Sequence, residues 1–542
     1  MKIAAVAPEI RLGDPRANTG PILSWMGKAH DEGASLLVLP SLCLCGCTCL
    51  SLWSQTLLRE SCKSAAALLA RESAAFPGLT VALPGAAADG RRYADILRGG
   101  ERIKRVWMEE GNRFTLELEG ECVCIALPET PATVESPQKL RAAAMALSRG
   151  GAAVVLTPGA GESGNDGVYT GGAAMAIRGQ GLGFAEGGML LCDISDKGES
   201  WPEEESAPVC PDPFFPREGA AADERCERIL LLQSRALAAR MQRSGCMGLV
   251  LGLSGGLDSA WTLLVGVEAL GLLGLPRERL LAVTMPGFGT GDRTRGNAEI
   301  LARELGVRLR EIPIGEAVAQ HLRAIGHDLE NHNATYENAQ ARERTQILMD
   351  LANDENALVP GTGDLSELAL GWCTYNGDHM SMYGPNGALP KSGVRRCVDW
   401  YARCRAGDAL GAALRDILNT PVSPELLPGG EGKMGQSTEA ILGPYELHDF
   451  FLWYFLREGA SPAALYESAC AVFAGRYSGG MVEATLRTFL RRFFTQQFKR
   501  SCSPDGPVLW EGVSLSPRGA WLMPSDMSGG PWLAELDRAV GK

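Results

Sequence analysis

Short apolar runs alternate with alanine-rich stretches along the first third of the chain. These runs have the length of buried strands, and the stretches between them are rich in the helix former Ala. An alternation of strands and helices predicts a layered α/β domain over residues 1–195. The runs that predict strands are residues 2–7, 35–39, 80–83, 122–126 and 152–156.

The pattern changes between residues 196 and 223, where several prolines and a cluster of acidic residues replace the apolar runs. Such a composition disfavours regular structure and predicts a linker. A second domain is predicted over residues 224–542. It opens with a helix over 225–245, in which apolar residues recur at helical spacing, and continues with a strand over 249–253.

Composition and charge narrow the functional classes. A chain of 542 residues with 45% hydrophobic residues can bury a large core. Its net charge of −12 argues against a nucleic-acid partner. The most apolar stretch, residues 262–275, is too short for a membrane span and contains Glu268. Because residues 1–7 are too short for a signal sequence and the 16 cysteines are sparse, we expect a cytoplasmic protein with reduced thiols.

The sequence GLSGGLDS at residues 252–259 follows an apolar strand and precedes a helical run. Glycines let main-chain N–H groups approach phosphate oxygens, and the helix start adds partial positive charge. Ser254 and Ser259 add hydroxyl donors, and Asp258 is placed to hold a magnesium ion. The loop has no lysine, so it does not match a Walker loop. The alternative is an ordinary glycine-rich turn.

The SGGxDS pattern resembles the loop of the N-type ATP pyrophosphatases. Further runs resemble, in order, the synthetase domain of glutamine-dependent NAD synthetase, over most of residues 207–526. They cover residues 285–294, 325–328, 335–353, 361–386, 418–428, 443–451 and 491–507. The resemblance implies a doubly wound parallel sheet with the phosphate loop at the carboxyl end of its strands.

The same resemblance implies an enzyme that uses ATP and Mg²⁺ to adenylate the nicotinate carboxylate of deamido-NAD. Ammonia then attacks the acyl adenylate, which gives NAD, AMP and pyrophosphate. A free carboxylate is a poor electrophile because its leaving group would be an oxide ion, whereas the acyl adenylate expels AMP. Magnesium and the loop offset the charge that builds on the departing pyrophosphate.

Positions that match the family's motifs carry its site residues over to this chain. The ATP-binding set is Gly252, Leu253, Ser254, Gly255, Gly256, Leu257, Asp258, Ser259 and Thr362. The deamido-NAD-binding set is Asn338, Glu367, Trp372, Cys373, Thr374, Tyr375 and Lys499. The magnesium ligands are Asp258 and Glu367. The catalytic set is Asp258, Lys391 near the reacting phosphate, and Asp378, which would orient ammonia.

Each of these assignments has a plainer alternative. Asp364 and Glu367 are three residues apart, which is also the spacing of residues that cap a helix. Trp372 and Tyr375 are equally compatible with core aromatics. Lysines such as Lys391 and Lys499 are most often solvated at the surface.

The first domain resembles a nitrilase-type amidase through the runs at residues 14–18, 39–53 and 150–156. That resemblance implies an αββα sandwich with a Glu, Lys and Cys triad that releases ammonia from glutamine. This chain has Ser41, Met108 and Leu127 at the three triad positions. Because a leucine cannot form a thioester and a serine is no general base at neutral pH, we expect a catalytically silent domain.

Nearby cysteines could replace the nucleophile only from the same face of the strand. In a strand over 121–127, Cys122 and Cys124 point away from position 127. A row of alternating cysteines follows Ser41, and it consists of Cys43, Cys45, Cys47 and Cys49. We expect this row to be a buried strand of small residues, because zinc sites generally use paired CxxC ligands. A metal site is the alternative.

The leading hypothesis is an ammonia-dependent NAD synthetase with a degenerate glutaminase domain. Two alternatives stay open: a glutamine-dependent enzyme with a substituted nucleophile, and a non-catalytic nucleotide-binding subunit that supports assembly. Three departures from the family pattern, at Gly291, Ala520 and Leu522, keep the last alternative open. The resemblance also implies a homo-oligomer with deamido-NAD near a dimer interface.

Overall fold

The computed structural model describes residues 1–202, 208–216, 218–288, 292–420 and 438–541, without the side chains of residues 292–294. The chain forms two compact units. The first comprises Met1–Ser163 and Gly167–Ser206, and the second comprises Gly164–Asp166 and Ala207–Lys542. No helix of the described residues is both long enough and apolar enough to span a bilayer.

In its described residues, the first unit contains two β-sheets and three α-helices. Its strands are β1 (Lys2–Val6), β2 (Leu36–Val38), β3 (Thr80–Ala86), β4 (Arg92–Arg98), β5 (Glu101–Trp107), β6 (Arg113–Leu118), β7 (Glu121–Ala126), β8 (Ala152–Leu156), β9 (Gly172–Ile177), β10 (Gln180–Glu186) and β11 (Met189–Asp193). Its helices are α1 (Pro15–Asp31), α2 (Thr56–Glu72) and α3 (Ser136–Leu147). One sheet has the order β11-β1-β2-β3-β4-β5, and the other has the order β10-β9-β8-β7-β6.

The main core of this unit lies between the two sheets. Ile96 of β4 packs there in one apolar layer with Ile125 and Val154 of the second sheet. The opposite face of the six-stranded sheet buries Leu83 against α1 and α2. The outer face of the second sheet packs against Leu140 of α3. This four-layer arrangement confirms the predicted αββα sandwich.

The cysteines of the first unit test two expectations. In β7, Val123 and Ile125 are buried while Cys122 is exposed, which confirms that Cys122 and Cys124 face away from the inter-sheet core. The expectation of a buried strand through Cys43, Cys45, Cys47 and Cys49 is wrong. Residues 41–45 form turns, and Cys47–Ser54 is a 3₁₀ helix.

A distant carboxylate overrides the alternating pattern of that cysteine row. Glu162 accepts hydrogen bonds from the backbone N–H groups of Cys47 and Thr48, at 2.8 and 3.0 Å, at the start of the 3₁₀ helix. Gly46 has φ of 94°, and a Cβ on it would come within 2.9 Å of Glu162 Oε2. Because Glu162 is more than 100 residues away in sequence, no local pattern could predict this turn.

Among its described residues, the second unit has one sheet and fourteen α-helices. Its strands are β12 (Gly248–Gly252), β13 (Leu280–Thr284), β14 (Arg308–Glu311) and β15 (Ala357–Leu358). Its helices are α4 (Ala220–Ser244), α5 (Leu257–Leu272), α6 (Asp292–Leu305), α7 (Gly315–Ala324), α8 (Ala334–Glu355), α9 (Leu365–Leu370), α10 (Lys391–Cys404), α11 (Asp408–Leu418), α12 (Thr438–Leu442), α13 (Tyr445–Arg457), α14 (Pro462–Val472), α15 (Gly479–Thr495), α16 (Gln497–Arg500) and α17 (Gly530–Ala539).

All four strands of this sheet are parallel, in the order β14-β13-β12-β15. On one face Val250 packs with Val318 of α7 and Tyr336 of α8. On the other face the sheet approaches α5 so closely that a Cβ on Gly266 would come within 2.9 Å of Leu280. Helices on both faces of a parallel sheet confirm the predicted doubly wound class.

Candidate functional site

The strand β12 ends at a tight glycine loop that leads into α5. Residues 253–256 form the whole connection. Gly255 has φ of 80°, a left-handed backbone conformation that favours glycine. The Ser254 hydroxyl accepts a hydrogen bond from Gly256 N at 3.1 Å and lies 3.2 Å from Ser259 Oγ. The loop is therefore held compactly at the positive end of a helix, a position that favours an anion.

Three carboxylates and one ammonium group meet beside this loop. At the start of α9, Asp364 Oδ1 accepts a hydrogen bond from Glu367 N at 2.8 Å, and the Glu367 carboxylate accepts one from Asp364 N at 3.3 Å. Oxygens of Asp258, Asp364 and Glu367 lie within 4.8 Å of one another. Lys391 Nζ lies 2.8 Å from Asp258, 2.7 Å from Asp364 and 3.0 Å from Glu367. The Asp364–Glu367 pair thus caps α9 and also faces Asp258.

Burial governs the protonation of this cluster. It raises the pKa of Asp364 to about 6 and that of Glu367 to about 8, although Lys391 acts in the opposite direction on both. Burial also opposes the charge of Lys391, but Asp258, Asp364 and Glu367 outweigh it and hold the pKa of Lys391 well above its usual value. Lys391 is therefore an ammonium at neutral pH, and it balances part of the cluster's negative charge.

The cluster has the chemistry of a magnesium site. Carboxylate oxygens are ligands that Mg²⁺ prefers in proteins. Asp258 Oδ1 is buried without a hydrogen-bond partner among the described residues, so this oxygen is left for a cation. The residues of the cluster therefore fit a magnesium ion, and they include Asp258 and Glu367, the two ligands predicted from the sequence. Asp364 joins them; its signal in the sequence was the DLSE run, which places two carboxylates three residues apart.

A cavity of about 650 Å³ opens at the glycine loop within the second unit, a volume typical of small-molecule sites. All residues of the loop from Gly252 to Ser259 line it, as does Thr362. The other predicted site residues in its wall are Asn338, Glu367, Trp372, Cys373, Thr374, Asp378 and Lys499. Tyr375 and Lys391 are outside this wall, and Lys391 reaches the site through its carboxylate partners.

Hydrogen bonds hold the segment that carries the predicted substrate-binding residues. Thr374 Oγ1 donates to Asn338 Oδ1 at 2.7 Å, and Thr374 N donates to Asp378 Oδ1 at 2.6 Å. Lys499 Nζ donates to the Cys373 carbonyl oxygen at 2.6 Å, and burial lowers the pKa of Lys499. The predicted residues thus form one connected wall.

Several plainer alternatives can now be compared with the structure. Lys391 is only 4% exposed, so a solvated surface lysine is wrong for this position. Tyr375 is 45% exposed and is not a core aromatic. Trp372 is half-buried, with the Arg492 guanidinium 5.1 Å from its ring centroid.

Two of the three departures from the family pattern lie in described residues, and neither is part of the cavity wall. Gly291 lies outside the described residues. Ala520 is exposed, and Leu522 is 78% exposed. Neither of these two side chains lines the cavity.

In the first unit, one of the three expected triad positions contacts an ion pair, and the other two pack in the layer between the sheets. The Ser41 hydroxyl donates to Glu129 Oε1 at 2.5 Å. Arg92 Nε and Nη2 donate to the two oxygens of Glu129 at 2.6 and 2.9 Å. Leu127 is fully buried in the layer between the sheets, and Met108 packs against the same layer. The region therefore combines apolar side chains with an internally neutralised carboxylate.

The thiols of the first unit are divided among separate clusters. Cys43 packs on the helix side of the six-stranded sheet, whereas Cys45 and Cys49 pack in another cluster. Cys192 shares the inter-sheet layer with Leu127, and burial raises its pKa to about 11. Within the described part of the chain, the group of three metal-ligating side chains close enough to share an ion is the carboxylate cluster of the second unit, and no cysteine of the row belongs to it.

Known proteins resemble this chain over both of its parts. A family model described as NAD synthase matches residues 232–469. The chain is 39% identical over 353 residues to the glutamine-dependent NAD(+) synthetase of Mycobacterium bovis, a match that covers 61% of this chain and 52% of that protein. It is 36% identical over 266 residues to the NH(3)-dependent NAD(+) synthetase of Hyperthermus butylicus, and this match covers 49% of this chain and 84% of that protein. The chain belongs to the NAD synthetase family.

The chain spans about half the length of the curated glutamine-dependent relatives it matches. Its structure superimposes on the crystal structure of a glutamine-dependent NAD(+) synthetase from Cytophaga hutchinsonii with a TM-score of 0.79 at 18% identity. That likeness covers 99% of this chain and 100% of the other. At this identity it shows the fold alone, and it confirms the fold class predicted from the sequence.

Proposed function

We propose that this protein makes NAD from deamido-NAD, ATP and ammonia, with AMP and pyrophosphate as the other products. The observation that carries the proposal is the placement of a glycine loop, at a helix start, beside three clustered carboxylates in one cavity. The loop suits a phosphate group, and the carboxylates fit the Mg²⁺ that accompanies ATP. Membership of the NAD synthetase family supports deamido-NAD as the group that is activated.

In the proposed reaction, the loop side of the cavity handles the phosphates. The hydroxyls of Ser254 and Ser259 and the N–H groups at the start of α5 hold the departing pyrophosphate. Mg²⁺, when bound by Asp258, Asp364 and Glu367, supplies electrostatic stabilisation of that leaving group. Positive charge beside a phosphate that gains negative charge lowers the barrier to adenylation.

The opposite set of wall residues serves the carboxylate substrate. Trp372 offers a flat surface for the pyridine ring, and Asn338 and Thr374 offer polar contacts. Asp378 is the candidate to orient ammonia toward the acyl adenylate, as an acceptor for its N–H groups. Lys499 holds the backbone of this segment through the Cys373 carbonyl oxygen.

We further propose that ammonia is taken from solution because the amidase domain is silent. Leu127 and Met108 are apolar, and the Ser41 hydroxyl is already committed to Glu129. The alternative, glutamine use through a substituted nucleophile, would need a thiol near Leu127. Cys192 shares that layer, but its raised pKa keeps the thiol protonated at neutral pH, and a protonated thiol is a poor nucleophile.

The domain and assembly expectations stay predictions. We propose a nitrilase-like domain over residues 1–195, a linker over 196–223 and a synthetase domain over 224–542. We also propose a homo-oligomer. The second alternative, a non-catalytic assembly subunit, is disfavoured because the phosphate loop and the carboxylate cluster retain the groups that the chemistry needs.

One assay separates these alternatives. Purified protein is incubated with ATP, MgCl₂ and deamido-NAD, and with either ammonium or glutamine, and NAD and AMP are quantified. We expect NAD and AMP in equal amounts with ammonium, and no NAD from glutamine beyond a no-addition blank. NAD formation from glutamine at the ammonium rate would contradict the silent domain. Failure to form AMP with ammonium would support the assembly subunit.

Variants of two aspartates serve as the matched pair for that assay. Asp258→Asn removes a carboxylate from the cluster, and we expect NAD formation to fall by about a hundredfold or more. Asp399→Asn removes a half-exposed carboxylate that pairs with Arg403 on α10, and its rate should stay within about twofold of the wild-type rate. Equal rates for the two variants would contradict the role of the cluster.

A further inference from the structure

Helix α10 begins with Lys391 but has no cap of its own. Its N-cap residue is Pro390, which makes no capping hydrogen bond through its side chain. The first backbone N–H groups of any helix lack partners within the helix and need acceptors from elsewhere. The way in which these groups are satisfied decides where the helix begins, and therefore where the Lys391 side chain starts.

Two other helices supply the acceptors. Ser366 of α9 accepts a hydrogen bond from Lys391 N at 2.9 Å, and Asp449 Oδ2 of α13 accepts one from Ser392 N at 2.9 Å. Ser366 Oγ in turn donates to Asp449 Oδ1. Both oxygens of Asp449 are therefore used at the start of α10, one directly and one through the serine hydroxyl.

Asp449 is an unusual residue for such a place. It is only 2% exposed, and no cationic side chain pairs with it in the described part of the chain. A buried carboxylate without a cation is costly unless its hydrogen bonds are satisfied. An asparagine would offer one acceptor oxygen and would turn its NH₂ group toward a donor, so only the carboxylate accepts both bonds.

Helix α13, which carries Asp449, also contacts the ammonium group of Lys391. Tyr445 lies one turn before Asp449 on α13, and its ring centroid is 5.5 Å from Lys391 Nζ. Helix α13 therefore acts on both ends of Lys391. Asp449 binds the backbone N–H of the next residue, Ser392, and the Tyr445 ring lies beside the Lys391 ammonium.

We propose that Asp449 is a positioning residue for the synthetase site. Through Ser366 and Ser392 it fixes the start of α10, and so it holds the Lys391 ammonium against Asp258, Asp364 and Glu367. Its kinetic consequence rests on the proposed function, whereas the placement of the ammonium has a test of its own by metal binding.

The kinetic test compares Asp449→Asn with Asp399→Asn, which alters a half-exposed carboxylate on α10. We expect Asp449→Asn to lower kcat with ammonium by about tenfold or more, as supporting residues around a metal site typically do. The KM values for ATP and deamido-NAD should change by less than about threefold, because the cavity wall is untouched. An unchanged kcat, or a rise in KM alone, would overturn the proposal.

A double-mutant cycle separates positioning from a general loss of structure. If Asp449 acts through Lys391, then adding Asp449→Asn to Lys391→Ala should lower kcat by less than about twofold further. A second loss as large as that in the wild-type background would show that Asp449 acts elsewhere, and the proposal would fail.

The third measurement needs no turnover. Mn²⁺ is titrated by electron paramagnetic resonance onto the full chain without nucleotide. The ammonium and a divalent cation compete for the same three carboxylates, so an ammonium that is held less firmly is easier to displace. We expect Asp449→Asn to bind Mn²⁺ about threefold more tightly than the wild type, and Lys391→Ala more tightly still. Unchanged or weaker binding in Asp449→Asn would overturn the proposal.

A second variant protects the test against misfolding of the first. Ser366→Ala removes the hydroxyl that links Asp449 to Lys391 N. This variant should reproduce the lower kcat and the tighter Mn²⁺ binding. If the wild type makes no NAD, the proposed function fails, while the Mn²⁺ titration still decides the placement of Lys391. If the wild type is active and the Mn²⁺ affinities of all variants agree, only the positioning role fails.

Discussion

Some residues of the site have two structural roles at once, so a sequence motif alone does not show which role a residue has. Asp364 caps α9 and also belongs to the carboxylate cluster. The sequence could predict Asp258 and Glu367, because both lie in recognisable runs. It could not predict that Lys391 is buried among them. That placement depends on the start of α10, which Ser366 and Asp449 fix from other helices.

A buried histidine near the site gives a prediction for stability. His448 is 1% exposed; its Nε2 lies 3.0 Å from the Leu442 carbonyl oxygen, and its Nδ1 is buried without a partner among the described residues. Burial lowers its pKa to about 4. The unfolded chain takes up a proton near pH 6.5, well before the folded chain does, so acid favours unfolding.

We therefore expect the free energy of unfolding of the wild type to fall by about 2 kcal/mol more than that of His448→Gln between pH 7 and pH 5. Urea titrations at both pH values measure this difference. His332→Gln, at an exposed position, is the control and should follow the wild type. Parallel pH dependence of the wild type and His448→Gln would show that His448 does not carry the acid sensitivity.

At the scale of elements, prediction succeeds where the deciding contacts are local. The strand predicted over 249–253 and the helix predicted over 225–245 correspond to β12 (Gly248–Gly252) and α4 (Ala220–Ser244). The cysteine row failed because Glu162, from a remote segment, fixes a 3₁₀ helix where the alternation indicated a strand. Alternation along a sequence indicates which side chains would share one face of a strand. Hydrogen bonds to a residue distant in sequence can still stabilise a different backbone conformation there.

The β12–α5 connection gives a prediction that separates backbone strain from phosphate binding. Gly255 and Gly274 both have positive φ, at 80° and 65°, but only Gly255 lines the cavity. An alanine costs about 1–2 kcal/mol of strain at either position. We expect Gly255→Ala to raise the KM for ATP by about tenfold or more, because the added Cβ and the strained loop hinder close approach to phosphate.

Gly274→Ala serves as the matched control, with a similar loss of stability and a KM for ATP within about twofold of the wild-type value. Steady-state kinetics with ammonium and thermal unfolding of both variants supply the comparison. Equal KM values in the two variants would mean that the loop does not contact the nucleotide.

At the scale of the whole molecule, the two units differ in how the carboxylates at their candidate sites are paired. The second unit keeps a carboxylate cluster in which Asp258 Oδ1 has no hydrogen-bond partner within the described residues, whereas in the first unit Arg92 and Ser41 neutralise and hydrogen-bond Glu129. The sequence predicted the fold of both units, and the loss of the triad side chains stays a prediction. It could not predict the Arg92–Glu129 pair, because the partners are 37 residues apart, with Arg92 at the start of β4 and Glu129 in the segment after β7.

This ion pair leads to a prediction that separates stability from catalysis. Arg92 and Glu129 are 23% and 22% exposed, so Arg92→Met leaves a mostly buried carboxylate without its cation. We expect the first unit to lose about 1–3 kcal/mol of stability, while kcat with ammonium stays within about twofold because the unit contributes no group to the proposed chemistry.

Arg91→Met is the control for that variant, because Arg91 forms a solvent-exposed pair with Asp89 and its loss should leave the stability close to that of the wild type. Unfolding in urea and NAD formation are measured on the same preparations. A large loss of ammonium-dependent kcat in Arg92→Met, without loss of stability, would assign the ion pair a part in catalysis. The proposal of a silent first unit would then fail, since a structural ion pair acts on the unfolding equilibrium rather than on the barrier of a reaction elsewhere in the chain.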